Sequence, residues 1–547
     1  MSETTKKQNF LHGAALLAIA TAVVKVIGAF YKLPLNAVIG PEGYAYFITA
    51  YDIYAVLLMI STAGLPVAMS RMISQSASLG HYNQVRRIYS TARAIFIGLG
   101  IASSLVMLIG CRWLAEKLNQ PDAWAAIACL APCALLMGVI SAYRGFFQGQ
   151  SNMRPTSNSQ MMEAVFKLLV GLSLAFLINH LTGDIALAAG GAILGVTVSC
   201  LVSVAYLRFK FSPSYRELPQ TGEKPRTYKS TAKSLLAIAV PITIGSAGLQ
   251  LLTVVESGLY MDRLVYLIGG NQYMGQMLSP EVDAQKAATI LKGIYNMAQT
   301  IFNMPCAFII PITVSVIPAI TANLTLLKDQ AVRATEESAA RITGLLSLPC
   351  TVGLFVLAEP IMSLLGGYTG MQLALGGQLL ALLGISVFPY AIIQYTNALL
   401  QSHGYAHVPV INMLVCGIAK LAVVYILVGN PAIGILGAPL GAVLGYGCIA
   451  VLNLLSIRKL VPQKPALLRS LLRSLPPAVL MGLAVYGSYR GLILLLGADA
   501  SRLILCGGPV VVGVAVYFVG IILFKAITRE DCQLLPKGEW IARILHL

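Results

Sequence analysis

Residues 156–179 read TSNSQMMEAVFKLLVGLSLAFLIN. A run this long and this apolar crosses a hydrocarbon core of ~30 Å as a single helix. Wound at helical pitch, Gln160, Glu163, Lys167 and Gly171 share one face, so the cylinder carries a single polar stripe. A charge near the bilayer centre costs about 2.5 to 3.5 kcal/mol on the insertion scale, which predicts that the stripe faces a wet cavity or other charges. Glu163 and Lys167 lie four apart, a spacing open to two readings: an intrahelical ion pair, or two functional groups lining a cavity.

Working outward, comparable runs recur near 11–39, 42–71, 89–110, 123–148, 185–207, 234–261, 287–323, 341–366, 372–400, 408–429, 435–457, 468–496 and 502–527. With the quoted stretch they make about fourteen transmembrane helices. Of 547 residues, 57% are hydrophobic and 11% charged, with a mean hydropathy of +0.77. That balance excludes a soluble globular domain, and the absence of period-two alternation excludes a barrel. The fold class is an all-α membrane protein. The first apolar run contains Lys25 and no small-residue cleavage site, so it reads as a retained span and not a signal peptide. The cysteines fall mostly inside apolar runs as small hydrophobes. His403 and His407 sit in a short loop without further ligands, which argues against a metal. No phosphate-binding loop, nucleophile elbow or HExxH occurs, so neither an enzyme nor a cofactor is expected.

The formal charge of +17 is explained by its placement. Roughly 27 of the 38 basic residues fall on the even-numbered connections and the tail, against about seven on the other side, the bias that orients spans. Both termini are then cytoplasmic, and the basic loops meet anionic membrane lipids; nucleic acid is not needed as a partner. Trp113 and Trp124, with Tyr44, Tyr46, Tyr51 and Tyr54, fall at expected outer ends and read as interfacial anchors.

Three features repeat at nearly one offset. Pro66 corresponds to Pro318, Gln148 to Gln401 and Lys167 to Lys420, offsets of 252, 253 and 253. Six helices thus repeat in the same orientation, with their lobes related by an axis along the membrane normal. The expected organisation is an N-lobe over 1–207, a basic linker over 208–233, a C-lobe over 234–458, and two further helices with a tail over 459–547. Prolines within spans, such as Pro66, Pro132 and Pro349, mark candidate kinks.

Lys25, Lys32, Lys167 and Lys420 are the candidate substrate-binding residues, and Asp52, Glu163 and Glu256 the candidate counter-ion or coupling residues. Thr21, Lys25, Gly28 and Lys32 form one stripe on the first span. A cavity with a cationic surplus suits an anionic cargo such as a diphosphate, which lysine meets as a point charge. The membrane potential would drive such a cargo outward by about 2.3 kcal/mol per charge per 100 mV.

The stretches KxIGxxYKLPLxxxIGPEGYAYF (Lys25 onward), GLPVAMSRMIS (Gly64 onward), YRGFFQGQSNMRPTSNSQMMEAVFKL (Tyr143 onward) and QSHGYAHVPVINMLVCGIAKL (Gln401 onward) carry a family likeness. They resemble the polysaccharide flippase branch of the multidrug/oligosaccharidyl-lipid/polysaccharide superfamily, in the group of stage V sporulation protein B and the MurJ-like lipid II flippases. The resemblance implies two six-helix lobes and two extra helices that form a groove for a polyprenyl tail. It also implies alternating-access translocation of an undecaprenyl-diphosphate-linked cell-wall precursor from the inner to the outer leaflet. Lys25 and the Lys32 region match the positions that serve the diphosphate, as lysine where arginine is usual. The group's further arginines, on its second and eighth helices, are expected to have no basic counterpart here. Two alternatives stand beside this reading. One is a multidrug antiporter coupled to Na+ or H+ through Glu256 or Glu163; the other is a non-transporting scaffold whose basic loops recruit cell-wall or sporulation enzymes.

Overall fold

A computed structural model describes residues 3–62, 64–150, 152–270, 283–325, 329–497, 500–528 and 531. Among these there are helices and no strands. In chain order the helices are α1 (Glu3–Thr62), α2 (Leu65–Ser78), α3 (Tyr82–Lys117), α4 (Trp124–Gly149), α5 (Arg154–Thr182), α6 (Ile185–Arg216), α7 (Tyr228–Gly269), α8 (Ala284–Thr325) and α9 (Asp329–Val356). They continue with α10 (Ala358–Gly366), α11 (Gly370–Ile385), α12 (Val387–Ser402), α13 (His407–Val428), α14 (Gly437–Leu460), α15 (Leu467–Leu472), α16 (Leu475–Leu496) and α17 (Arg502–Leu523). Among the described residues, eleven segments are long and apolar enough to cross a membrane, the first of them Val26–Ser78. The protein is a multi-pass, all-α membrane protein.

Several expected spans are built from two pieces. The first two form one 60-residue element interrupted at Gly40, where φ is 66° and ψ 179°. That left-handed φ is open to glycine at little cost, and Pro41 follows directly. The second span then breaks before Leu65, and Pro66 falls in the first turn of α2, where a missing N–H costs nothing. The span expected at 372–400 is likewise divided between α11 and α12.

The chain divides into two compact units. One comprises Met1–Val265 with Asp283–Gly293, the other Tyr266–Val282 with Ile294–Leu547. In unit 1, α5 packs on α6, α4 on α3 and α6, and α1 on α5. Near the ends of α3, α4 and α6 an aromatic cluster closes the bundle, with Tyr89 4.6 Å from Phe211 and 5.4 Å from Phe146 between ring centroids.

The expected linker is mostly helical: α6 runs to Arg216 and α7 starts at Tyr228. The short stretch between them is pinned to the start of α3. Gln84 N donates to Glu223 Oε1 at 2.8 Å, Arg226 N to Gln84 Oε1 at 2.7 Å, and Arg86 Nη2 to the Leu218 carbonyl at 2.6 Å. His81, which precedes α3, makes no side-chain cap. Glu223 therefore supplies from far along the chain an acceptor that a local cap would otherwise provide.

Unit 2 is held by an apolar core on α9, α12, α13 and α14 that includes Val332, Tyr395, Leu399 and Ile457. A polar network runs through it: Asn453 Nδ2 donates to Thr396 Oγ1 at 3.0 Å and to Asn397 Oδ1 at 2.9 Å, while Asn412 Nδ2 donates to Asn453 Oδ1 at 2.9 Å. A second core, including Leu348, Ala478 and Met481, joins α9 to α16 and α17. Tyr517 fastens that contact by donating to the Leu345 carbonyl at 2.6 Å.

Candidate functional site

Unit 1 gathers charges from four helices. Lys32 and Asp52 lie on the two legs of α1, either side of the Gly40 break. Lys167 is on α5, Glu256 on α7, and Lys292 in the first turns of α8. Asp52 feels Lys292, Lys32 and Glu256 electrostatically, and Lys167 feels Lys32 and Glu163. Lys32, Asp52, Lys167, Glu163 and Glu256 are thus brought into one region, each half-buried. The side chain of Lys25 lies outside the described residues, as does that of Pro318.

Lys292 is the most enclosed of these cations, fully buried, and its Nζ donates to Thr49 Oγ1 at 2.7 Å. Thr49 in turn hydrogen-bonds Gln120. The eighth expected span thus carries a buried basic residue of its own. Lys292 lies inside the run at 287–323 and carried the same signal as the other intramembrane lysines, a cation in an apolar window.

Glu163 pairs across helices. Arg144 Nη2 on α4 meets its Oε2 at 2.9 Å, and Arg144 Nε donates to Ser159. The intrahelical pairing with Lys167 gives way because the α4 guanidinium reaches the carboxylate directly. Lys167 Nζ instead donates to Tyr51 OH at 2.6 Å and sits 4.5 Å and 5.2 Å from the centroids of Tyr51 and Tyr31, a cation–π cradle. Tyr31 OH is held by the Ala192 carbonyl at 3.2 Å.

Tyr44, Tyr46 and Tyr54 are buried, which corrects their reading as interfacial anchors. Tyr46 OH bonds Glu42 at 3.0 Å and Asp122 at 3.1 Å, so its polar end is satisfied inside the bundle. Lys286 Nζ completes that group, 3.5 Å from Glu42. Trp113 and Trp124 are exposed as an anchor requires.

Lys420, the repeat partner of Lys167, belongs to unit 2. It too lies over an aromatic ring, with Nζ 5.5 Å from the Tyr446 centroid. His403 in the same unit pairs with buried Glu336 at 2.7 Å. No cluster of three potential metal ligands occurs among the described residues.

These charged side chains of unit 1 lie between apolar helices and pair with one another, with aromatic rings and with hydroxyls; among the described residues no nucleophile–base array is formed. Such an arrangement binds and releases charge, as a membrane transporter does, and the comparisons agree. A family model described as polysaccharide biosynthesis protein matches residues 10–324, and one described as lipid II flippase MurJ matches residues 271–491. The chain belongs to the polysaccharide biosynthesis protein family.

Among relatives, it is 24% identical to stage V sporulation protein B of Bacillus subtilis (strain 168), over 97% of this chain and 98% of that protein. Its fold is similar to that of lipid II flippase MurJ in an inward closed conformation, with a TM-score of 0.67 at 14% identity, covering 93% of this chain and 98% of the other. It is also similar to the inward-facing conformation of a multidrug resistance MATE family transporter of the MOP superfamily, with a TM-score of 0.63 at 14% identity over 80% and 97% of the two chains. The chain is accordingly a multi-pass membrane protein of the polysaccharide biosynthesis protein family whose second half also matches the lipid II flippase MurJ model.

Proposed function

We propose that the protein translocates an undecaprenyl-diphosphate-linked glycan, lipid II or a related cell-wall precursor, from the inner to the outer leaflet of a bacterial cytoplasmic membrane by alternating access. The observation that carries this reading is the cationic surplus of unit 1. Once Arg144 is taken up by Glu163, Lys32, Lys167 and Lys292 stand against Asp52 and Glu256. A diphosphate entering this region meets point charges in a low-dielectric setting, where one lysine ~5 Å away contributes ~3 kcal/mol at an effective dielectric of ~20.

Lys25 and Lys420 are assigned as further substrate contacts. Both termini are assigned to the cytoplasm by the basic connections, so that the membrane potential assists outward movement of the anion. We assign the sequence repeat to lobes 1–207 and 234–458, joined by 208–233, with 459–547 appended; the compact units divide the chain differently, with Glu256 and Lys292 in unit 1.

The test is reconstitution into vesicles carrying either lipid II or an unrelated polyprenyl-linked glycan, with outer-leaflet accessibility as the readout. Faster appearance of lipid II than in protein-free vesicles is expected. A protein that moves neither lipid yet expels drugs when an ion gradient is imposed refutes the proposal in favour of a second reading. That reading, a cation-coupled multidrug antiporter, is favoured by the neighbouring carboxylates Asp52 and Glu256, which could exchange H+ or Na+.

A further inference from the structure

Unit 2 carries a second cationic region, outside the lysine site. At the polar start of α9, Arg333, Glu337 and Arg341 recur every four residues and so share one face. The short helix α15 lies against this part of α9, and the approach is close: a Cβ on Gly344 would stand 2.1 Å from the Leu471 carbonyl oxygen. The crossing places Arg469 and Arg473 beside the α9 arginines. Together they line a cavity of about 800 Å³ with Glu337 and Ser470.

The acids nearby are already engaged. Glu337 Oε1 accepts from Arg333 Nε at 2.9 Å and from Ala466 N, the residue that opens α15, at 3.0 Å. Asp531 is fully buried and takes Arg341, with contacts of 2.8 to 3.0 Å. Arg469 and Arg473 have no ion-pair partner among the described residues and are exposed. Among the described residues, four guanidinium groups and one carboxylate line the cavity; Glu337 takes Arg333 and buried Asp531 takes Arg341 from outside it, leaving two forks free. Guanidinium forks favour planar, bidentate oxyanions, phosphate above all.

A second cavity of about 610 Å³ adjoins the first through Ala466 and Arg469; Arg458 and Lys464 line it too, and Leu454, Ile457 and Leu468 contribute apolar wall. Val451 and Leu455 on α14 and Leu468 on α15 are exposed apolar residues on these elements. A basic chamber that opens past Arg458 and Lys464 onto apolar residues of membrane-spanning helices matches a ligand with a phosphate head and hydrocarbon chains.

We propose that the chamber formed by Arg333, Arg341, Arg469 and Arg473 binds the phosphate of an anionic phospholipid head group. The ligand is held by charge at the head and by apolar contact along the chains. It is a bound membrane component, separate from the transported cargo, so the assignment stands independently of the lysine site in unit 1.

The test uses the full chain in phosphatidylcholine nanodiscs doped with an acyl-labelled phosphatidylglycerol, and reads the affinity of the labelled lipid. Wild type is expected to favour phosphatidylglycerol over an equally labelled phosphatidylcholine, with the preference shrinking as salt rises. R469Q/R473Q should lose at least tenfold in that preference. The charge-matched control R208Q/R216Q, on the exposed end of α6, should keep it. Because Arg469 and Arg473 bond no other side chain among the described residues, both variants should retain the wild-type thermal midpoint. Equal affinity in R469Q/R473Q and wild type, or no preference in wild type, overturns the proposal. Inorganic phosphate supplied to lipid-free protein in detergent tests the other source. Millimolar binding that the same variant abolishes would assign the chamber to a soluble anion and overturn the lipid assignment.

Discussion

Replacing Lys292 by Met removes the most enclosed cation of unit 1 while roughly preserving side-chain length. Two losses follow. The charge-assisted bond to Thr49, 2.7 Å long, is worth about 1.5 to 3 kcal/mol. Asp52 also loses one of its two neighbouring cations and keeps Lys32. Taking both together, a destabilisation of about 3 kcal/mol is expected, at the lower end for breaking a buried charge contact because one partner survives.

Adding Asp52→Asn should recover most of that loss, since the uncompensated carboxylate is then neutral. Recovery of stability should not bring back transport. A lysine ~5 Å from a phosphate charge supplies ~3 kcal/mol, so substrate affinity should fall by roughly two orders of magnitude in both variants. Thermal unfolding in detergent and lipid II accessibility in proteoliposomes read the two quantities separately. Flipping by Lys292→Met within twofold of wild type, at equal reconstitution, would refute the reasoning, and so would a double variant that regains both stability and transport.

Two further outcomes follow from contacts in unit 1. Arg144→Gln and Glu163→Gln should show a coupling of about 2 kcal/mol in a double-mutant cycle, the range for groups in direct contact; Lys167→Met with Glu163→Gln should couple more weakly, and the reverse ranking would restore the intrahelical pairing. Glu223→Ala should remove about 1 kcal/mol of capping at the start of α3 and speed tryptic cleavage after Arg226 severalfold; an unchanged cleavage rate would show that the segment is held by other contacts.

The membrane class was legible because it depends on runs of residue type, and the polar stripes on α1 and α5 were legible because helical spacing alone defines a face. Partner choice was not. Glu163 has a lysine four residues on, yet its bond goes to Arg144, 19 residues earlier, a choice made by how α4 packs on α5. Lys292 could have been found by the criterion that found Lys167. The burial of Tyr44, Tyr46 and Tyr54 could not, since an aromatic at a span end looks the same whether it meets lipid or another helix. The linker shows the same limit: its composition signals a flexible connector, whereas its bonds to Asn83, Gln84 and Arg86 arise only once α3 is in place.

The bond between Lys292 and Thr49 joins residues 243 positions apart. During synthesis at about 5 to 20 residues per second, Thr49 leaves the ribosome roughly 12 to 50 seconds before its partner. Throughout that interval the second leg of α1 must lodge in the insertion machinery or the bilayer with Asp52 offset by Lys32 alone. The helices that bear the proposed substrate site therefore pass through a vulnerable half-assembled state. The arrival of α8 is the event that seals it, and a nascent chain stalled before residue 292 should be the form that quality-control proteases recognise.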